Sequence, residues 1–507
     1  MSNPVSTVQL YWQFLPSWLQ LVLVGCVLGS TFIQPYFAPL LFLSLPLFWY
    51  QLVTASSLTQ ALWRGWLVWY VKSLFALFWF FSTYPLDSVE VALPAGLQLL
   101  AIAVYLATGA LWLSAGGLLL GGGVWLIHQW FNHICIRSIF IAGWLVVCEV
   151  TGAWVFSVAT TAPDIPLTSA FAFGFVGVPS VVIPGLIGWA MFGGSYALAG
   201  LVGLYTALVT YQSSWRRRWY GVSGGALCLV GGGLLLSYTQ LYNHPSPTKI
   251  AVIETDFSAV LTSNQAGRLQ QTQSLKKAFV SALEHNPEYV LFPEGAGFIN
   301  GLYPGVDPAT AYNFYRFDFN DPVVVVQDSV RLETARGAVL RGITFDGHNK
   351  VVSQFDKQYL VPQGEYVPQL YAFVLHNLGY TEVLASMRRA QSYRPGQLST
   401  PTVQNKNIPP ILFCFSSSDP RGVRKLDMKN SAPFVAHPIS HAWFHEPDTL
   451  WYQLDQFLRI QAVWNQVPIV SAANLAPSHV YWPDGAVTQG AVVASGELWR
   501  VRLVTLP

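Results

Sequence analysis

Between residues 18 and 240 the chain runs as one apolar stretch after another, each close to the roughly 20 residues an α-helix needs to cross a bilayer. Nothing else in the sequence limits the fold so severely, because backbone immersed in hydrocarbon must satisfy its hydrogen bonds within its own helix. Seven spans are expected, at 18–34, 36–53, 62–82, 93–126, 138–157, 184–210 and 220–240. The fourth is long and glycine-rich ("GGLLLGGGVW"), which leaves open one crossing or two. Composition agrees: 52% of residues are hydrophobic and 10% charged, with a mean hydropathy of +0.40, against about 25% charged in soluble domains.

The opening "MSNPVSTVQLYWQF" has no basic region and no small-residue cleavage site, so its apolar continuation is expected to remain as a span. With seven spans and a cytoplasmic amino terminus, Arg64, Arg137 and Arg216 to Arg218 fall inside, whereas Asp87, Glu90 and Asp164 fall outside. That obeys the positive-inside rule, and an eighth crossing would put the triple arginine on the wrong side. Residue 245 onward is then expected on the outer face, which is the periplasm if the cell is a Gram-negative bacterium. Cys26, Cys135, Cys148 and Cys228 sit in apolar segments as small hydrophobes, without disulfide or zinc spacing. The glycines at 121–123 and 231–233 are expected at close helix contacts, since neither cluster is followed by the Lys-Ser or Lys-Thr of a phosphate loop. A net charge of +2 gives no field for nucleic acid.

The character changes near "NHPSPTKIAVIETD", dividing a transmembrane domain, 1–243, from a second domain, 244–507. Short β-rich runs follow ("KIAVIETD", "EYVLFPEG", "PVVVVQDS", "GAVLRGITFD", "ILFCFS", "VPIVSAAN", "SHVYWPDG"), bounded by Gly, Pro, Asn and Asp. Between them helical spacing recurs at Leu275, Phe279 and Leu283, and at Leu450, Leu454, Phe457 and Leu458. Strands alternating with amphipathic helices imply a layered α/β domain. "GELWRVRLVTLP" is too short and too charged to cross a bilayer. "GFINGLYPGVDPATAYNFYRFDF" reads as a surface loop or a lid against the bilayer, and "GEYVPQLYAFVLHNLG" as a second such element.

Three polar residues stand at the ends of apolar runs in this domain: Glu294 in "YVLFPEGAG", Lys357 in "VVSQFDKQYL" and Cys414 in "PPILFCFSSSDP". A thiol is a poor nucleophile until a base removes its proton or a cation stabilises the thiolate. A glutamate supplies the base and a lysine the cation, which also stabilises a tetrahedral oxyanion. The three form an acyl-transfer set that needs no metal and no cofactor. His437, His441 and His445 are four apart and would align on a helix as metal ligands, but Pro438 argues for strand and loop. Glu149 lies inside a span, where a carboxylate is costly and is expected to pair within the bundle or face water.

The order and surroundings of the three residues resemble the carbon-nitrogen hydrolase (nitrilase) superfamily, and the whole chain resembles its membrane-bound branch, apolipoprotein N-acyltransferase. The resemblance rests on "LVPQGEYVP" after Lys357, then "SYRPGQ", Cys414, "SHAWF" and "VPIVSAANLAPSHVYWPDG" in that order. In the membrane half, "GWLVVCEVTGAW" with Glu149 and "PLTSAFAFGFVGVPS" extend it. The resemblance implies an α-β-β-α nitrilase-like sandwich behind the helical bundle. It makes Glu294 the general base, Lys357 the oxyanion stabiliser, Cys414 the nucleophile that becomes a thioester, and Glu365 a supporting active-site carboxylate. It also implies a membrane phospholipid as acyl donor, the terminal amine of a lipoprotein as acceptor, and residence in the bacterial inner membrane.

The chain departs from the family pattern in places. Cys414 is followed by Phe415 and Ser416 where the acyltransferases have Tyr-Glu, "PQG" replaces "PFG", and no arginine follows Glu149 closely. Similar divergence is seen in the conjugal-transfer TraB proteins. Alternative readings are therefore a conjugation or envelope protein of that type, processing or binding a protein partner, and a membrane-tethered amidase.

Overall fold

The computed structural model describes residues 15–86, 94–211, 229–236, 247–258, 265–320, 322–335, 337–398, 408–426, 428, 433–445 and 447–507. The first half forms α1 (Ser17–Ser30), α2 (Leu41–Val53), α3 (Leu58–Ala76), α4 (Ala95–Leu113), α5 (Ala115–Trp130), α6 (Ile134–Ala159) and α7 (Gly194–Tyr211). Among the described residues, five helical segments are long and apolar enough to cross a membrane: Pro35–Val53, Leu58–Thr83, Ala95–Trp130, Ile134–Ala159 and Gly194–Tyr211.

The span expected at 18–34 is a helix of 14 residues, about 21 Å long, short of the roughly 30 Å hydrocarbon core. It ends where Thr31 Oγ1 turns back to the Leu28 carbonyl at 2.7 Å. The long fourth segment does not reverse. Ser114 keeps right-handed helical geometry, its N–H reaching Ala110 O at 2.9 Å while its own carbonyl accepts from Leu118 N at 3.0 Å, so α4 continues into α5. The expected 184–210 span divides into a 3-10 turn, Leu186–Phe192, and α7. Of the expected 220–240 span only 229–236 is described, as helix. Arg216 to Arg218, Asp87, Glu90, Cys228 and the domain boundary near 244 lie outside the described residues.

Glycine sets the helix spacing. A β-carbon on Gly65 of α3 would stand 2.2 Å from the Gly117 carbonyl of α5, and one on Gly121 would stand 2.1 Å from the Ala61 carbonyl. The backbones touch there, as small residues at a membrane helix interface permit. Gly233 likewise abuts the Gly185 carbonyl.

The second half is built on a mixed sheet of 11 strands: β1 (Thr248–Thr255), β2 (Tyr289–Leu291), β3 (Val325–Thr334), β4 (Gly337–Asp346), β5 (Val351–Asp356), β6 (Val435–Ser440), β7 (Ile469–Asn474), β8 (Val480–Tyr481), β9 (Val487–Thr488), β10 (Ala491–Ser495) and β11 (Trp499–Leu506). The main path runs β5-β4-β3-β2-β1-β7-β8-β9, with β6 on β7 and β11 on β1. Strands β1, β2 and β3 are parallel, as are β6 and β7, while β4, β5 and β11 join antiparallel. β1 meets β7 at a single pair, Thr255 with Asn474.

The helices of this half are α8 (Gln265–Leu283), α9 (Phe298–Leu302), α10 (Pro308–Asp318), α11 (Gln369–Asn377), α12 (Thr381–Ala390) and α13 (Asp448–Asn465). Alternation along β1 sends Ala251 and Ile253 to a core with Leu275 and Phe279 of α8. Ile250 and Val252 go to a second core with Ala436 of β6 and Val470 and Ala472 of β7. The other side of β6 and β7, through Val435 and Ile469, packs on Leu458 and Ala462 of α13.

The two halves share one apolar cluster. Leu77, Trp79 and Phe156 from the bundle, Phe171 and Phe173 from the segment after α6, and Leu454 and Phe457 from α13 bury one another. The end of α6 is tied to the sheet domain by Tyr366 Oη, which donates to Thr160 O at 2.9 Å, and by Gln369 N, which donates to Thr161 O at 2.8 Å. Arg137, at the start of α6, is therefore about 35 Å away along the helix. Arg64 lies near the start of α3, whose opposite end meets α13 through Gln453 Nε2 and Ala76 O at 2.9 Å. Both arginines thus occupy the end of the bundle remote from the sheet.

The segment expected as a loop or lid at 297–319 is largely helical. Asp307 caps α10, its carboxylate accepting from Ala309 and Thr310 N–H at 3.1 Å each, and Pro308 fills the first turn, where a missing N–H costs nothing.

Candidate active site

Glu294 follows β2 on a turn held from β3. Gly295 N donates to Ser329 Oγ at 2.9 Å, Gly297 N to Ser329 O at 2.9 Å and Ile299 N to the Asp328 carboxylate at 2.9 Å. Gly295 and Gly297 both adopt positive φ, 70° and 63°, which a side chain would strain. The turn thus aims the glutamate rather than letting it trail into solvent, and its side chain is 9% exposed.

Lys357 is the residue after β5. Its backbone N–H reaches Leu340 O at 2.9 Å. Asp356 beside it is buried and pinned by Arg341 at 2.6 and 3.1 Å and by the N–H groups of Gln397 and Leu398 at 3.1 Å each. With its backbone fixed on both sides, the lysine reaches inward, 1% exposed, to Glu294 Oε1 at 2.7 Å and Glu365 Oε1 at 2.8 Å. The other Glu365 oxygen accepts from Val361 N at 2.8 Å, so the loop after Lys357 closes on its own carboxylate.

Cys414 was expected at the end of a strand. The structure gives only one parallel bridge, Ile411 with Ala436 of β6, supported by Leu412 N to Ala436 O at 2.9 Å and Ala436 N to Pro410 O at 3.0 Å. Pro409 and Pro410 have no N–H to extend a ladder. The chain then enters a 3-10 turn, Cys414–Ser418, closed by Ser417 Oγ on the Cys414 carbonyl at 2.6 Å. His437 Nδ1 meets Leu412 O at 2.6 Å and so steadies the approach to the thiol.

The four sequence-derived residues therefore converge: Lys357 bonds both glutamates, and Cys414 lies close enough to Glu294, Lys357 and Glu365 to feel their charges. Burial pushes Glu294 up from the ordinary carboxylate range, against the pull of Lys357 and with a further push from Glu365. Burial alone would lower Lys357, but the two carboxylates outweigh it and hold the ammonium above its usual range. Burial likewise raises the Cys414 thiol, reinforced by Glu294 and opposed by Lys357 and a backbone hydrogen bond from Ser440. The resting state is thus a neutral thiol beside an ammonium locked between carboxylates. An ammonium has three N–H donors; two are directed at the glutamates, and one remains for a substrate oxygen.

His437 lies in β6 and His441 just after it, not on a helix. Desolvation lowers them to about 4 and about 3, so both are neutral near pH 7. His441 accepts from the Trp451 indole N–H. Among the described residues no group of three His, Cys, Asp or Glu side chains is placed to hold a metal. Cys26, Cys135 and Cys148 are unpaired thiols.

Sequence reasoning passed over Asp328 and Ser329, which hold the Glu294 turn. Their signal was available: "VVVVQDSVR" breaks an apolar strand with polar residues, the same mark that singled out Glu294, Lys357 and Cys414.

Next to the Cys414 turn lies a small cleft of about 40 Å³, partly open to its surroundings, which none of the four clustered side chains lines. Phe156 of α6, Thr160 just past its end, Phe171, Leu360, Tyr366 and Phe415 contribute to its wall. It joins the end of a membrane helix, the lysine loop and the residue after Cys414.

Fold and site together define a chain with membrane-length helices joined to a mixed-sheet domain that carries a Glu-Lys-Cys-Glu cluster. No family model matches this chain, and no curated protein matches it in sequence.

Proposed function

We propose that this chain is a membrane acyltransferase of the nitrilase-like type, working through a cysteine thioester. The observation that carries the reading is the convergence of Glu294, Lys357, Glu365 and Cys414, with a largely apolar cleft at Phe415 and Leu360 that reaches the end of a membrane helix. Two strand layers flanked by α8 and α13 support the α-β-β-α sandwich that the motif resemblance implies. Arg64 and Arg137 at the end of the bundle away from the sheet support an inner-membrane orientation with the sheet domain in the periplasm.

In the mechanism, Glu294 takes the thiol proton as Cys414 Sγ attacks the carbonyl carbon of a phospholipid ester. Lys357 donates to the oxyanion that forms. Collapse breaks the ester C–O bond, the leaving alkoxide takes the proton from Glu294, and the acyl group remains as a thioester. An amine, the terminal amino group of a lipoprotein, then attacks the thioester. It gives its proton to Glu294, and the returning sulfur is reprotonated as the amide departs. General-base help of this kind supplies about 10²- to 10⁴-fold.

The test is intact mass after incubation with phospholipid, followed by a diacylated lipopeptide. An acyl adduct that is absent in Cys414→Ala and passes to the peptide is expected. An adduct lost only to water makes the protein a hydrolase, and no adduct at all leaves a binding role of the conjugal-transfer kind and ends the acyltransferase reading.

Donor access also has a structural basis. On α11 and just beyond it, Phe373 and Leu378 are 67% and 66% exposed, while Gln369 and Tyr371 at its start touch the bundle at Thr161 and Tyr105. An apolar face held beside membrane helices fits contact with lipid. Phe373→Asp is expected to slow adduct formation from bilayer phospholipid about ten-fold or more, since a large apolar side chain is worth ~1.5–3 kcal/mol on leaving water. A short, water-soluble ester donor should react at the unaltered rate, and equal slowing of both donors would refute lipid contact by this face.

A further inference from the structure

Two charged side chains inside the bundle take no part in the mechanism above. Lys72 of α3 is 2% exposed and Glu149 of α6 is 3% exposed. Their heads go to the same short turn in the segment between α6 and α7: Lys72 Nζ donates to Gly174 O at 2.7 Å, and Glu149 Oε1 accepts from Val176 N at 2.6 Å. Lys72 also lies 3.4 Å from the centroid of the Trp69 ring. No ion pair between them appears among the described residues, and Glu149 Oε2 has no hydrogen-bond partner. Ionisable side chains are costly inside a membrane bundle, and two of them directed at backbone atoms of one turn call for a reason beyond packing.

The turn leads straight to the nucleophile. Ala172 N donates to Ser418 O at 3.0 Å, and Ser418 Oγ donates to Ala170 O at 3.0 Å. The Phe171 and Phe415 rings lie 6.1 Å apart. Ser418 closes the Cys414–Ser418 turn, its hydroxyl also reaching Phe415 O at 2.8 Å. Gly174 sits at φ 88°, and a β-carbon there would meet Lys72 Nζ at 3.7 Å. Apolar contact alone would let this segment slide against the bundle, whereas two buried hydrogen bonds, one from a donor head and one to an acceptor head, fix its height.

We infer that Lys72 and Glu149 are positioning residues that hold the 172–178 turn against the bundle and thereby place the Cys414 turn over Glu294 and Lys357. The inference rests on the acyltransferase reading for its rate measurement but not for its geometry, because the position of the thiol can be read by alkylation.

The experiment uses the full chain in nanodiscs. Lys72→Met and Glu149→Gln are compared with wild type for the rate of acyl-adduct formation and for iodoacetamide alkylation read on the Cys414 peptide across a pH series. A misplacement of about 1 Å costs on the order of 10²-fold in rate. Each variant is therefore expected to lower the adduct rate at saturating lipid ten-fold or more with KM little changed, and to shift the alkylation pH profile. Lys72→Arg, which keeps a donor for Gly174 O, should recover most of the rate. Gly174→Ala, which displaces the turn and leaves both charges, should reproduce the loss. Trp49→Phe removes the indole bond to Thr206 at 2.9 Å, toward the far end of the bundle, and should lower Tm while leaving rate and profile alone.

Wild-type rate and profile in folded Lys72→Met and Glu149→Gln would overturn the inference. So would losses that merely follow Tm, as judged against Trp49→Phe. If wild type forms no acyl adduct, the enzymatic reading fails, and the alkylation profiles still decide whether these two residues place the thiol.

Discussion

Lys357→Met is expected to abolish acyl-adduct formation to the limit of detection, a loss of about 10³-fold or more. Removing a single oxyanion donor costs ~10²–10³ in kcat, and this lysine also screens the thiolate from two carboxylates. The same change removes the cation bonded to Glu294 and Glu365 at 2.7 and 2.8 Å. Breaking a buried pair by deleting one partner costs ~3–5 kcal/mol, so Tm should fall as well. Combining it with Glu365→Gln removes one stranded carboxylate and should restore part of the Tm but none of the rate. Thermal unfolding together with intact-mass kinetics checks both halves. A double variant that regained rate along with Tm would mean that the lysine is only a structural counter-ion.

Glu294→Gln keeps shape and removes the carboxylate proposed as the base. The expected loss in adduct formation is about 10²- to 10⁴-fold, and the pH profile carries the diagnostic. The base works only when ionised, and burial places its pKa above the ordinary carboxylate value of 4.5. In wild type the rate should therefore rise with pH as Glu294 loses its proton, with that limb displaced upward from 4.5. In Glu294→Gln the limb should vanish, leaving a slow rate that climbs only where the thiol ionises unaided, on the alkaline side of its ordinary range. A wild-type limb that survived in the variant would assign proton removal to another group.

Much of this site was legible in the sequence because a polar residue ending an apolar run is conspicuous, as at Glu294, Lys357 and Cys414. Helical spacing at Leu275 and Phe279, and from Leu450 to Leu458, marked α8 and α13, and those residues are buried. Other features were weaker on the page. "ILFC" has the composition of a strand, but two prolines ahead of it reduce the pairing to one bridge. Asp307-Pro308 is a helix-start signal inside a turn-rich stretch, outweighed there by glycine and aromatic content. In "WRVRLVTL" the charged residues masked a strand that buries both faces in turn, Trp499 and Val501 against one core and Val504 and Leu506 against the other. Lys72 gave no sign at all, since a single lysine in a span says nothing about which distant carbonyl it will meet.

The pairing of β1 with β11 has a consequence for biogenesis. Register runs unbroken from Thr248 opposite Leu506 to Thr255 opposite Trp499, so the first described strand of the domain gains its antiparallel neighbour only after every other described strand has been made. At roughly 5–20 residues per second of synthesis, β1 is made and then waits on the order of 10–50 s with that edge bare. During that interval it is open to mispairing with nascent copies nearby, and a chaperone that covers unpaired strand edges would find its client there.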